Sequence, residues 1–249
     1  MEHLRMVDKL LAEDQISNSG KLNSEYRTAQ MADEVYYSRI HSNYSVFAKV
    51  HTGLDDREYE EQFKIDRAVT NIIVERSKLH ARGQKLGLDE LPQKFFGRIL
   101  EGKIGTMPEA FYANGYIVVQ QKCFDVFSRF DLGPTDLVPA KVYQKDRETE
   151  VKGPFYVFNF GCIKESFVPE KSEDMTSSIF EPSGPKKYMP VVEKDNQIAL
   201  SSEALSGPDL WHEKGLPRMI FMSGRLRDAL KAEKLHVAFK FIKCRVVEK

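Results

Sequence analysis

The chain has 249 residues, 41% apolar and 30% charged, enough to bury a substantial core without disulfide or metal staples. Its 37 Lys/Arg balance 37 Asp/Glu, so the whole molecule carries no field that would draw it to nucleic acid or to an anionic membrane. Cys123, Cys162 and Cys244 are widely spaced and form no CxxC pair, which argues against a disulfide framework or a zinc site and points to buried, reduced thiols. The N-terminal stretch MEHLRMVDKLLAEDQ is charged throughout and lacks the apolar core of a secretion signal. No segment approaches the roughly 18 consecutive apolar residues of a membrane span. A cytoplasmic location is expected.

In chain order, residues 1–85 read mainly as helix. Leu4, Val7, Leu10 and Leu11 give an apolar stripe at spacings of three and four, and a polar gap at 17–24 separates them from a second helix expected around 25–39. Residues 44–51, YSVFAKVH, have strand character. Asp55-Asp56 offers an N-cap for a long helix with Phe63, Ala68, Ile72, Ile73 and Leu79 on its apolar positions, ending near Gly83 or Gly87. After Leu91-Pro92 the chain changes to short apolar runs broken by Gly and Pro. Strands are expected near 116–119, 137–143, 154–161, 188–192, 197–200, 219–222 and 237–247, with a Ser/Pro-rich, charged loop over 168–187. The class expected is α+β, with a mainly helical region over 1–85 and a mixed-sheet domain over 86–249.

Two stretches of that domain look like copies of one unit. IVVQQKCFDVFSRFDL begins at Ile117 and IFMSGRLRDALKAEKL at Ile220, 103 residues later. In register, Ile117 falls on Ile220, Val119 on Met222, Asp125 on Asp228, Phe127 on Leu230 and Leu132 on Leu235. Each copy reads as strand, helix, strand, over about 116–143 and 219–247. The matched aspartates suggest a structural task such as fixing helix orientation.

Motifs that would announce chemistry fail. Trp211-His212-Glu213 begins like an HExxH zinc helix, but Leu216 stands where the second histidine is needed, and Gly215 and Pro217 break the helix. His212 is then expected to be solvated or capping. The glycines of 102–105 and 153–161 lack phosphate-cradle spacing, and Ser223 sits where it would cap a helix rather than attack a substrate. Cys123 lies on an apolar helical face with Val126, Phe127 and Phe130, so a core thiol is the plainer reading. No metal, cofactor or catalytic residue is assigned from sequence.

Two charged regions remain. Asp55, Asp56, Glu58, Glu60 and Glu61 crowd the start of the long helix; the helix dipole accounts for them, and they are also the candidate partner-binding residues. From 214 to 249 there are ten Lys/Arg against three Asp/Glu, leaving 27 against 34 in the first 213 residues. This basic end includes Arg218, Arg225, Arg227, Lys231, Lys234, Lys240, Lys243 and Arg245. Alternation in FKFIKCRVV places Lys240 opposite Phe239 and Phe241 on an edge or surface strand, where lysine also guards against self-association.

The segment 209–248 resembles the C-terminal part of the bacterial immunity protein family numbered eleven, a former domain of unknown function. The resemblance rests on an aspartate and a tryptophan (Asp209, Trp211) ahead of Leu216-Pro217, then an apolar strand into Ser223. A helix with Arg225-Leu226 and Asp228-Ala229-Leu230 follows, and a closing strand with Cys244. The block 116–143 is similar to an earlier strand, serine, helix, Pro-containing strand of that family, with Gln120 in place of the serine. The resemblance covers roughly residues 90–249 and does not extend to 1–85. It implies a non-catalytic protein of a polymorphic-toxin system, active in interbacterial competition, that binds and neutralises a cognate secreted toxin in the cytoplasm. Such families often face nucleases. No direct contact with nucleic acid or membrane is expected. The competing expectation is an enzyme with scattered site residues such as His51, His80, Tyr112 and Glu165.

Overall fold

A computed structural model of the chain describes residues 34–40, 50–52, 67–97, 103–113, 115–177 and 186–248, with side chains of 50–52, 67–70 and 73 left aside. The first described elements are β1 (Val35–Ser38), β2 (Val50–Thr52), helix α1 (Arg67–His80), β3 (Lys94–Gly97) and β4 (Ala110–Ala113). They are followed by β5 (Tyr116–Gln120), α2 (Gln121–Phe127), β6 (Asp136–Tyr143), β7 (Phe155–Asn159), β8 (Ile163–Lys164), β9 (Met175–Ser177) and β10 (Tyr188–Pro190). The chain then forms β11 (Ala199–Ser201), β12 (Leu210–Glu213), β13 (Leu216–Ser223), α3 (Gly224–Ala232), α4 (His236–Phe239), β14 (Phe241–Lys243) and β15 (Arg245–Val247). This is a mixed α+β structure dominated by strands.

Among the described residues two sheets carry the architecture. One has six strands in the order β2-β3-β6-β7-β5-β4, the other five in the order β14-β1-β13-β12-β8; β9 with β10 and β11 with β15 make two smaller pairs. The repeat seen in sequence reappears in this topology. In the first copy, the β4–β5 hairpin leads into α2 and then β6, and β5 and β6 both run antiparallel to β7 lying between them. In the second, the β12–β13 hairpin leads into α3 and on through α4 to β14, and β13 and β14 both run antiparallel to β1 between them. The two units therefore share a hairpin, a helix, and a strand that returns one place away. They differ in the source of the strand between: β7 follows its unit in the chain, whereas β1 comes from the N-terminal side.

The reason for the helix pair is apolar spacing. Cys123 and Phe127 on α2, and Leu226 and Leu230 on α3, are matched positions, and all four are fully buried. The helices pack against each other, each also resting on its own hairpin and on the strand between. They run antiparallel: Lys122 at the start of α2 donates to the Glu233 carbonyl at the end of α3 (2.7 Å). Phe127 lies edge-on to Phe158 of the six-stranded sheet (centroids 5.0 Å apart) and to Phe239 of α4 (5.8 Å). Alternation along β13 sends Ile220 and Met222 into this layer and Met219 and Phe221 into a second cluster with Tyr37, Leu200 and Trp211 on the other face.

Several expectations are corrected. Of the helix expected around 25–39, residues 25–33 lie outside the described residues and the rest is β1, where Val35-Tyr36-Tyr37 supply β-branched and aromatic residues suited to a sheet. A helical N-terminal region is thus not what the described part of 1–85 shows: it holds β1, β2 and α1. The long helix, by contrast, is seen from Arg67 and ends at His80 near a left-handed Gly83, as expected. The strand expected over 237–247 is broken into α4, β14 and β15, because β14 pairs with β1 and β15 with β11. Lys240 is consequently no strand residue; it closes α4 in the left-handed region at φ +46°. His212 is neither solvated nor capping. It is buried on β12, its ring 4.6 Å from that of Phe160, and a Cβ at Gly83 (φ +79°) would meet the His212 Cβ at 2.6 Å, so only glycine fits there. Asp125 and Asp228 each bond within their own helix, to Gln121 (2.6 Å) and Arg227 (2.7 Å), rather than between elements.

Two predictions follow from this core. Phe127→Ala removes an aromatic ring shared by α2, α4 and the six-stranded sheet, and should lower the unfolding free energy by about 4 kcal/mol in urea titration. His80, with its Nε2 2.8 Å from the Phe158 carbonyl and its ring against Tyr116 and Phe160, is pushed down by burial to a pKa of about 4. The folded state therefore resists protonation that the unfolded chain accepts from about pH 6.5 downward, so this contribution is intact above that pH and is lost as pH falls toward 4. Urea midpoints measured between pH 7 and pH 4.5 should fall for the wild type and fall less for His80→Gln.

Candidate functional site

Asp209 precedes β12, and the register of the β12–β13 hairpin carries it opposite Ser223 at the other strand's end; the Ser223 N–H donates to the Asp209 carbonyl (3.0 Å). Ser223 then begins α3. Its Oγ accepts from the Leu226 N–H (3.3 Å), the cap expected from sequence, and donates to Asp209 Oδ1 (2.5 Å). Two residues on, Arg225 donates Nε to Asp209 Oδ1 (2.6 Å) and Nη2 to Oδ2 (2.8 Å). The Asp131 N–H, from the loop after α2, also reaches Oδ2 (3.2 Å), and Asp131 accepts the Asp209 N–H on its carbonyl (2.6 Å).

The Asp209 side chain is 2% exposed and that of Arg225 60%. A buried carboxylate thus holds the inner edge of a guanidinium whose outer edge faces solvent, a charge-assisted fork of fixed geometry. The group lines a depression of 240 Å³ together with Glu34, Leu205 and Pro208. Glu34 is itself engaged by Tyr36 Oη (2.6 Å), Lys243 Nζ (2.5 Å) and Arg227 Nη2 (3.2 Å), and the Arg227 guanidinium lies 3.9 Å over the Tyr36 ring. Partial burial would raise the Glu34 carboxyl, but Lys243, Tyr36 and Arg227 outweigh it and hold its pKa below the usual value.

The loop walling the depression is pinned from below. Lys164 Nζ sits 3.6 Å over the Trp211 ring and donates to the carbonyls of Ala204 (3.1 Å), Ser206 (2.7 Å) and Pro208 (3.2 Å). Burial lowers its pKa. Beside it, Glu213 accepts from Trp211 Nε1 (2.7 Å), from the N–H groups of Ser166 (2.9 Å) and Phe167 (3.1 Å), and from Ser166 Oγ. Burial nonetheless pushes its carboxyl above the usual range. The Trp-His-Glu run that fails as a zinc motif is therefore a strand whose polar ends organise buried turns. Among the described residues no cluster of three His, Cys, Asp or Glu is placed to hold a metal ion.

The first copy lacks this arrangement at the matched positions. Gln120 replaces Ser223 and makes no side-chain cap; its Nε2 instead ties down the carbonyls of Met107 (2.7 Å) and Pro108 (3.0 Å). Glu109 stands where Asp209 does, and its carbonyl accepts the Gln120 N–H (2.8 Å), the counterpart of the bond from Ser223. Lys122, in the place of Arg225, turns to Glu233.

Of the partner-binding candidates, Asp55, Asp56, Glu58, Glu60 and Glu61 lie outside the described residues. Of the residues weighed for a scattered catalytic site, His80 is in the core, Glu165 pairs with Lys214 (2.8 Å) at the surface, Tyr112 is on β4, and His51 is on β2 with its side chain outside those described. Cys123 is in the core with its thiol pushed up to about 12 by burial, far from the range of a reactive thiolate. No helix of the described residues is long and apolar enough to cross a membrane. Compared with known proteins, the chain matches no family model and no curated protein.

The anchoring of Arg225 gives a graded expectation. Asp209→Ala, which removes a buried acceptor of four hydrogen bonds, should cost about 3 kcal/mol of stability, and Ser223→Ala, which removes one cap, about 1 kcal/mol. Urea denaturation of the two variants should show that order.

Proposed function

We propose that this chain is an immunity protein, which binds a cognate secreted bacterial toxin in the cytoplasm and occludes its active site without performing chemistry of its own. The observation that carries the reading is the union of Asp209, Ser223 and Arg225. These are residues on which the resemblance to immunity family eleven rests, and they form one bonded group that presents a rigid, outward-facing guanidinium beside a depression. Fixed arginines of this kind suit recognition, because little conformational freedom is lost when a partner arrives. The duplicated strand–helix–strand unit supplies the stiff frame that such a surface needs.

The reading is tested with the protein encoded by the neighbouring gene. Mixing the two should give a stable stoichiometric complex in size-exclusion chromatography, and co-expression should restore growth to cells making the toxin. Absence of a complex at micromolar concentration would remove the proposal.

A further inference from the structure

The decapeptide Lys231 to Lys240 ends α3, turns at Lys234, and forms α4. Its apolar residues Leu235, Ala238 and Phe239 are buried in the main core and fix its position. Val237 points the other way and is 64% exposed, near the top of the exposure range for large apolar side chains among the described residues. In the same ten residues Lys231, Lys234, His236 and Lys240 are all exposed. Glu233 is the single acidic residue of the stretch, and Lys122 engages it.

These lysines differ from the cations nearby. Arg225, Arg227, Lys243 and Arg245 each have a carboxylate partner. Among the described residues Lys231, Lys234 and Lys240 have none. Moreover, Lys234 (φ +61°) and Lys240 (φ +46°) occupy left-handed backbone positions, where glycine is the residue of least strain. A helix dipole favours cations at the end of α3. It accounts for neither lysine in place of glycine at two turns nor an exposed valine between them.

We infer that this corner is a docking surface for an acidic protein face with a shallow apolar recess, the recess taking Val237 and the surrounding carboxylates pairing with Lys231, Lys234 and Lys240. An apolar centre inside a charged border is the usual layout of a specific protein interface. Opposite charge in the border speeds encounter and fixes register. A nucleic-acid site would have little use for the valine, and a single valine is too small an anchor for a membrane. The inference rests on the immunity reading, since it assigns this surface to the toxin; it places the toxin's contact face among acidic rather than basic surfaces.

The test uses the full chain and the toxin domain encoded by the neighbouring gene, with affinity measured by calorimetry at low and high salt. The triple variant Lys231→Glu, Lys234→Glu, Lys240→Glu should bind at least about a hundredfold more weakly, and Val237→Asp about tenfold more weakly. The wild-type affinity should fall with added salt, and the triple variant's should not. The double variant Lys234→Gly, Lys240→Gly separates docking from folding: relief of the left-handed strain should keep or raise its melting temperature while its affinity drops about tenfold. Equal binding by wild type and triple variant overturns this surface assignment and leaves the immunity reading standing. No binding by the wild type overturns both. Binding of a short DNA duplex or of phosphatidylserine vesicles that the triple variant loses would overturn the acidic-protein partner in favour of that other class.

Discussion

Burial of the inner faces of α2 and α3 against each other and against both sheets is the constraint on which the rest of the structure depends. Cys123, Phe127, Leu226 and Leu230 have no exposed surface. The hydrophobic layer they form also receives Phe158 from the six-stranded sheet, Ile220 and Met222 from the five-stranded one, and Phe239 from α4. Each sheet alone would leave one apolar face against water; the helix pair closes both at once. The antiparallel packing brings the end of α2 to the start of α3, and so delivers Asp131 to Asp209. The charged group at Asp209 is thus a consequence of the apolar packing beneath it.

The two copies divide their tasks. At matched positions the second has serine and arginine both bonded to one buried aspartate, while in the first the glutamine ties down the carbonyls of Met107 and Pro108 and the lysine turns to Glu233. One backbone plan therefore supports a preorganised charged group in one copy and a structural tie in the other. Position for position, the buried positions stay apolar in both copies, while the polar residues at the helix start differ in what they bind. This is the pattern expected when the scaffold is held by packing and the surface is released for recognition.

A good part of this was legible in the sequence. The strand–helix–strand periodicity of the first unit, the Ser223 cap and the burial of Cys123 follow from local rules of spacing and capping, and the structure has all three; in the second unit the strand and helix stand but the closing run is broken. Asp209, by contrast, looks in sequence like any loop aspartate. Its burial results from the hairpin register and from the loop after α2, neither of which is local. In the sequence it stands out only through the family resemblance, as the aspartate ahead of Trp211 and Leu216-Pro217. The Trp-His-Glu run goes the opposite way: its spacing fails for a helix, yet its residues form a buried strand.

What the sequence determined by itself was the alternation and periodicity that make each element, and with them the duplicated unit. Tertiary structure alone decided which strand fills the gap in each copy. β7 comes from next door, whereas β1 comes from the far side of the chain and sits between β13 and β14. The reason is physical: a sheet is completed by any strand with matching edge hydrogen bonds and a suitable apolar face, whatever its distance along the chain. The same rule broke the final apolar run into α4, β14 and β15, since its two ends pair with different strands. Local pattern fixes what a segment can become, and the available partners fix where it goes.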